Sequence, residues 1–178
     1  GTAVTDGSQD IMLFSSEGKV VRFAESAVRA MGRTARGVRG IKLAPDHRLI
    51  SLVVPKEGSK ILTVSENGYG KRSETQEFPV KGRGTKGVIG MTMSERNGSL
   101  VGAEQVWDGD EMMLISDKGT LVRTRTDEVS VLSRNTQGVR LIKLSQEDER
   151  LVGVERICLA VVSFAWRCFA LLSVALHA

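Results

Sequence analysis

An all-β, propeller-like fold built of four-stranded blades is predicted by three observations. A six-residue stretch recurs as Arg33-Thr34-Ala35-Arg36-Gly37-Val38, Arg83-Gly84-Thr85-Lys86-Gly87-Val88 and Arg134-Asn135-Thr136-Gln137-Gly138-Val139. The copies lie 50 and 51 residues apart, and a fixed period of that size marks a repeat architecture. Each period also holds four short β-prone runs, the pattern of a propeller blade. Finally, the 178 residues include 19 Gly and only 4% aromatics, a composition that suits turn-rich β structure. A β-solenoid is the rival architecture, but its coils are usually shorter.

In chain order, residues 1–9 read as the remnant of a preceding blade, with Thr2-Ala3-Val4-Thr5 as its last strand and Asp6-Gly7 as a turn. The blades are then expected over 10–59, 60–110 and 111–157. Each opens with a hairpin: Ile11–Phe14 with Lys19–Phe23, Ile61–Val64 with Tyr69–Arg72, and Met112–Ile115 with Thr120–Arg123. Gly18, Gly68 and Gly119 align at the turns, where a positive φ favours glycine. A connection of roughly a dozen residues leads to the recurring stretch and a third strand over 38–43, 88–93 and 139–144. A polar loop then leads to a fourth strand over 49–54, 100–106 and 151–157. No segment sustains a helical period for three turns; residues 24–31 come nearest and read as part of the connection. Residues 158–178 match no strand of the repeat and hold 17 apolar residues around Ser163, Arg167, Ser173 and His177. Their length approaches a membrane span, but Arg167 near the middle is costly there. They read as a non-native tail, and no membrane association is expected.

Charge is sorted within each repeat. Net charge is only +4, too modest to imply a polyanionic partner by itself. Yet residues 19–42, 69–92 and 120–143 hold 17 of the 25 basic residues and 5 of the 21 acidic ones. Their separate tallies are seven, five and five basic residues. If the repeats are blades, the same zone of each faces the same way and forms a basic rim. The candidate nucleic-acid contacts are Lys19, Arg22, Arg33, Arg36, Arg39, Lys71, Arg72, Lys81, Arg83, Lys86, Arg123, Arg125, Arg134 and Arg140. Scarce aromatics in the zones point to duplex rather than single strands, which are usually held on stacking rings. Phosphate contacts position without reading sequence, so weak sequence preference and strong salt dependence are expected. Arg22, Arg72 and Arg123 fall in register. Their joint charge reversal is expected to weaken binding without unfolding. The competing role for them is to brace blades through backbone carbonyls or acids such as Glu25 and Asp127. The third copy of the stretch carries Gln137 where the others have Arg36 and Lys86, so the last repeat is expected to grip least.

Catalytic patterns are missing. The sequence has no phosphate-binding Gly-rich loop, and His47 and His177 show no metal-ligand spacing to a cysteine. No Ser/His/Asp arrangement is visible. A non-catalytic binding module without cofactor or metal is expected. Cys158 and Cys168 are the only cysteines, and the cysteine-free stretch before them fits a reducing cytoplasm.

Several strings carry a family likeness. Phe14-Ser15-Ser16-Glu17-Gly18-Lys19-Val20-Val21-Arg22-Phe23, Asn67-Gly68-Tyr69-Gly70-Lys71-Arg72, Glu95-Arg96-Asn97-Gly98, Gly119–Arg125 and Ser133–Val139 resemble the C-terminal domain of bacterial DNA gyrase A. The likeness runs over about residues 7–157. It implies a six-bladed β-pinwheel, of which this chain holds three blades, with neighbours exchanging strands. It also implies a basic perimeter that wraps duplex DNA and supports negative supercoiling by an ATP-driven holoenzyme, in which gyrase B and the rest of gyrase A are the partners. Lys81–Gly87 is similar in composition to the family's glycine/arginine box but sits in a later blade, so the two are not equated. The alternatives are the equivalent domain of topoisomerase IV, or a propeller scaffold that binds an acidic protein. Three blades leave open edges, which self-association or the apolar tail would cover.

Overall fold

The structure, a computed structural model, describes residues 1–144, 146 and 148–157. The expectation for the apolar tail 158–178 lies outside the described residues. The strands are β1 (Asp10–Ser15), β2 (Lys19–Ala24), β3 (Leu49–Val53), β4 (Lys60–Ser65), β5 (Tyr69–Glu74), β6 (Val88–Ile89), β7 (Leu100–Val106), β8 (Glu111–Ser116), β9 (Leu121–Arg125), β10 (Val139–Arg140) and β11 (Leu151–Ile157). The hairpins form as the β-prone runs predict. At the first, the Gly18 amide donates to the Ser15 carbonyl at 2.9 Å, and Gly18 takes φ +78°, a conformation that side chains with a Cβ resist.

The strands assemble into three antiparallel sheets, ordered β3-β1-β2-β6, β10-β5-β4-β7 and β11-β8-β9. The first two sheets each draw on two repeats. The third-run strand leaves its own repeat and pairs with the second strand of the repeat before it: Val88 with Val20, and Val139 with Gly70. These exchanged strands are two residues long, shorter than the six the sequence predicts. The reason is local. After the pairing, the Gly90 and Met91 amides both turn to the Gly18 carbonyl, and those of Leu141 and Ile142 to the Gly68 carbonyl, which ends the ladder. In the first repeat, Val38–Leu43 lies in no strand and makes an isolated bridge, Ile41 to Thr85. Thr2–Thr5 form no strand; the segment is tethered instead by Glu25, whose carboxylate accepts from the Thr5 hydroxyl and from the Gly7 amide, the latter at 3.0 Å.

At the opposite edge of the sheets, β7 packs against both β3 and β11. The fourth strands thus meet at the hub, and the exchanged strands β6 and β10 lie outermost. Two hydrophobic clusters occupy the seams between sheets, and a third, Leu13, Val21 and Phe23, lies within the first repeat. Met12, Phe14 and Val20 from the first repeat meet Ile61, Tyr69, Phe78 and Met91 from the second. Leu62 and Val64 meet Met112, Leu114, Val129 and Leu151 in the next seam. Burying these side chains supplies the main drive for repeat-to-repeat association.

Candidate nucleic-acid interface

The connections carry the basic stretches around the outer edge, because each must pass outside a sheet to deliver its strand to the neighbouring repeat. Of the sequence-predicted cations, Arg33, Arg36, Arg39, Lys81, Lys86, Arg123, Arg125 and Arg140 are exposed. Lys19, Arg83 and Arg134 are half-buried. Within the three basic zones the first repeat exposes Arg29, Arg33, Arg36, Arg39 and Lys42, the second Lys81 and Lys86, and the third Arg123, Arg125, Arg140 and Lys143. The second repeat exposes fewest cations, because Lys71 and Arg72 are used inside the structure.

Arg22 and Arg72 are held in the seams, and the bracing role is the one the structure gives them. Arg22 Nη1 donates to the Thr75 and Phe78 carbonyls at 2.8 and 3.1 Å, around the 3-10 turn Thr75–Glu77 of the next repeat. Its other nitrogens hold Asp10. Arg72 repeats the contact one seam on. It donates to the Val129 carbonyl at 2.9 Å and to Asp108 at 2.5 Å. Asp127 joins through its carbonyl, and its carboxylate lies 3.9 Å away. Charge reversal of Arg22 and Arg72 would therefore break seams rather than leave the fold intact. Arg123, the third in register, pairs with Glu111 of its own hairpin, and its side chain is 56% exposed.

Lys71 also faces inward. It occupies the position of Val21 and Val122 in the other repeats, is fully buried, and donates to the Ser133 and Arg134 carbonyls at 2.6 and 2.5 Å. Burial pushes its ammonium down to about 8; the Glu77 carboxylate opposes that shift and Arg134 adds to it. Glu77 in turn accepts from the Arg134 amide at 2.8 Å. The recurring arginines divide similarly. Arg83 Nη1 reaches the Arg39 carbonyl at 3.2 Å, and Arg134 Nη1 reaches the Ile89 carbonyl at 2.9 Å. Each clamps the third run of the repeat before it. Arg33 is exposed.

Arg96 is the cation that sequence reasoning missed. Its guanidinium lies 4.6 Å from the Tyr69 ring centre, and that of Arg140 lies 5.4 Å from it, a cation–π arrangement. Arg140 also donates to the phenol oxygen at 2.8 Å. Hydrogen bonding from Arg96 first, then Arg140, holds the phenol below its ordinary pKa. The Arg96 loop is fixed by buried Asn97, which accepts from the Ser94 amide and donates to the Thr92 and Gln137 carbonyls. Both guanidiniums are thus oriented on the outer edge, each with donors left over for an anion. Among the described residues no group of His, Cys, Asp or Glu is placed to hold a metal ion, and no helix is long and apolar enough to cross a membrane.

Strand-exchanged sheets around a hub, with guanidiniums and ammoniums on the outer edge, define a β-pinwheel repeat module with a basic perimeter. The chain belongs to the family described as DNA gyrase C-terminal domain, beta-propeller, whose profile matches residues 9–56, 59–106 and 110–158. It is 61% identical over 155 residues to the DNA gyrase A protein of Pseudomonas aeruginosa, covering 87% of this chain and 17% of that protein. The chain thus spans about a fifth of the length of the curated relatives it matches. The solved structure of a DNA gyrase A C-terminal domain superposes with TM-score 0.78 at 28% identity, covering 86% of this chain and 52% of that one. The C-terminal domain of a DNA topoisomerase IV superposes with TM-score 0.80 at 22% identity, covering 87% and 48%; that likeness is one of fold.

Proposed function

We infer that this chain is a non-catalytic DNA-binding and DNA-wrapping module of a DNA gyrase, a cytoplasmic type IIA topoisomerase. On this reading it grips duplex DNA along its outer edge and supports negative supercoiling by the ATP-driven holoenzyme of gyrase A and gyrase B. The observation that carries the reading is the series of exposed cations delivered to the same edge by successive connections: Arg33, Arg36 and Arg39, then Lys81 and Lys86, then Arg125 and Arg140. Partial neutralisation of phosphates releases counterions, which gives affinity without base recognition. A curved edge that holds phosphates at several successive points bends the duplex, at a cost of about a few kcal/mol that the added contacts offset. Identity to gyrase A favours gyrase over topoisomerase IV, for which the likeness is structural.

The test is a salt titration of binding to duplex DNA of random sequence, read by gel mobility. With about six phosphates contacted, log K falls with log salt at a slope of roughly −5. Absence of binding at low salt, or binding indifferent to salt, overturns the assignment. Preferential binding of an acidic protein instead would identify the chain as a scaffold.

A further inference from the structure

The two internal seams are built alike but differ at one place. In the first, the bulk lies on β2, where Val20 packs against Gly90; in the second it lies on the incoming segment, where Leu141 packs against Gly70. Beside these pairs the register sets Lys19 opposite Ile89 at the first seam and Tyr69 opposite Arg140 at the second. Residues opposite each other across antiparallel strands share a face. The second seam therefore presents an aromatic ring and a guanidinium together, where the first presents a half-buried ammonium and an exposed isoleucine. The loop after the third run adds to the contrast. In the second repeat it carries Arg96 and is pinned from two sides. Asn97 is fully buried and holds the loop's own backbone, and Asn67 donates to the Glu95 and Arg96 carbonyls at 3.2 Å. In the first repeat the loop Ala44–Arg48 has no Asn and carries Asp46.

Tyr69 is buried in the seam core, so its ring is a fixed platform. Arg96 and Arg140, at 4.6 and 5.4 Å from the ring centre, are both exposed. Arg140 spends one N–H on the phenol oxygen. Among the described residues neither guanidinium pairs with a carboxylate. Two like charges are thus gathered on one ring without a counterion from the chain. The phenol, held below its ordinary pKa, registers the same positive surroundings. A guanidinium has five N–H donors in a planar fork, and most of those on Arg96 and Arg140 remain untaken. Paired forks of this kind suit an anion with several oxygens, a phosphate above all.

We propose that Arg96 and Arg140, held by Tyr69, form a clamp that takes one backbone phosphate of duplex DNA at the second seam. The inference rests on the DNA-binding reading and adds a fixed point to it. Lysines such as Lys81 and Lys86 meet phosphates as point charges, whereas two oriented forks hold one in a defined place. No base is read, so the clamp sets where the duplex lies on the edge and not which sequence lies there.

Tyr69 is the sole tyrosine, so the chain labelled with 3-fluorotyrosine gives one fluorine resonance that reports this site alone. Short duplex DNA of random sequence is titrated in at low salt, with gel mobility read on the same samples. The resonance is expected to shift and to saturate together with the mobility change. Inorganic phosphate at high concentration is expected to move it the same way, and polyglutamate to leave it in place. Arg96→Ala is expected to remove most of the shift, weaken duplex binding about tenfold and lower the salt slope by about one. Arg96→Lys keeps the charge without the fork, and is expected to restore the slope but not the full affinity. Unchanged urea midpoints for both variants separate lost binding from lost folding. Retarded duplex with an unmoved resonance overturns the clamp and leaves the DNA-binding reading standing. No retardation at low salt overturns that reading and the clamp with it. A shift with inorganic phosphate but not with bound duplex, which marks a site for a free phosphate, overturns the clamp as well. So does a shift with polyglutamate alone, which marks a site for an acidic protein.

Discussion

The internal seams and the two ends of the array are made of the same residue types and behave as different structures. Inside, Arg72 is 6% exposed and Gly87 is pressed against a backbone carbonyl. At the ends, Arg123 pairs only within its own hairpin with its side chain 56% exposed, and Gly37 faces open space. The difference teaches that a recurring residue here is a component of a joint. Its role is set by whether a neighbouring repeat is present to complete that joint, more than by anything within its own repeat.

Arginine replacement gives the largest contrast. Arg72→Ala leaves the Val129 and Asp127 carbonyls without their donor and is expected to cost about 3 kcal/mol. Arg123→Ala, at the same strand position, is expected to cost less than about 0.5 kcal/mol. Urea unfolding of both variants checks this, and equal losses would dissolve the distinction. Glycine replacement comes next. Gly37→Ala carries only the cost of a positive φ, about 1 kcal/mol. Gly87→Ala adds a clash with the Val20 backbone and is expected to lose about 2 kcal/mol more. Thermal unfolding at matched concentration separates them.

A smaller effect is expected from pH. The folded pKa of Lys71 is lowered to about 8, so between there and its ordinary value the unfolded chain binds more protons than the folded one. Stability from this site therefore rises with pH across that window. Lys71→Met is expected to flatten the rise. Denaturation midpoints of the two proteins from about pH 7 to about pH 10 report it, and parallel profiles would mean that Lys71 is not the group titrating. The smallest effect on stability belongs to the rim. Replacing Lys81 and Lys86 together by Ala is expected to leave stability within about 0.5 kcal/mol. The same change should reduce the steepness of the DNA salt dependence by about two. Unfolding of this double variant would move both lysines from rim to seam.

Much of the fold was legible because its signals are local. The hairpins follow from β-prone runs around Gly18, Gly68 and Gly119, and the period follows from the recurring stretch. Strand exchange was not readable from the runs themselves, since Val88-Ile89 has the same composition whichever repeat it pairs with. The candidate site divided the same way. Arg36, Lys81 and Lys86 are exposed, as a rim of cations requires. Arg22 and Arg72 are not, because their partners are largely backbone carbonyls, and a carbonyl leaves no mark in a sequence. Lys71 did leave one, being a cation at a position held by Val21 and Val122. Arg96 escaped because it lies outside the basic zones, and only the fold brings its loop over Tyr69.

The glycine-against-bulk pairing at the seams has a consequence for how such a chain tolerates recombination. Repeats this alike in backbone invite unequal crossover, which deletes one period and rejoins the reading frame. Loss of the middle repeat would bring Val20 against Leu141, two side chains contending for the space of one. The surviving repeats would keep their hydrogen-bond donors at the joint, and the overpacking is expected to cost about 1–3 kcal/mol. One atom-scale mismatch thus acts as an address that favours the present order of the repeats over a shortened one.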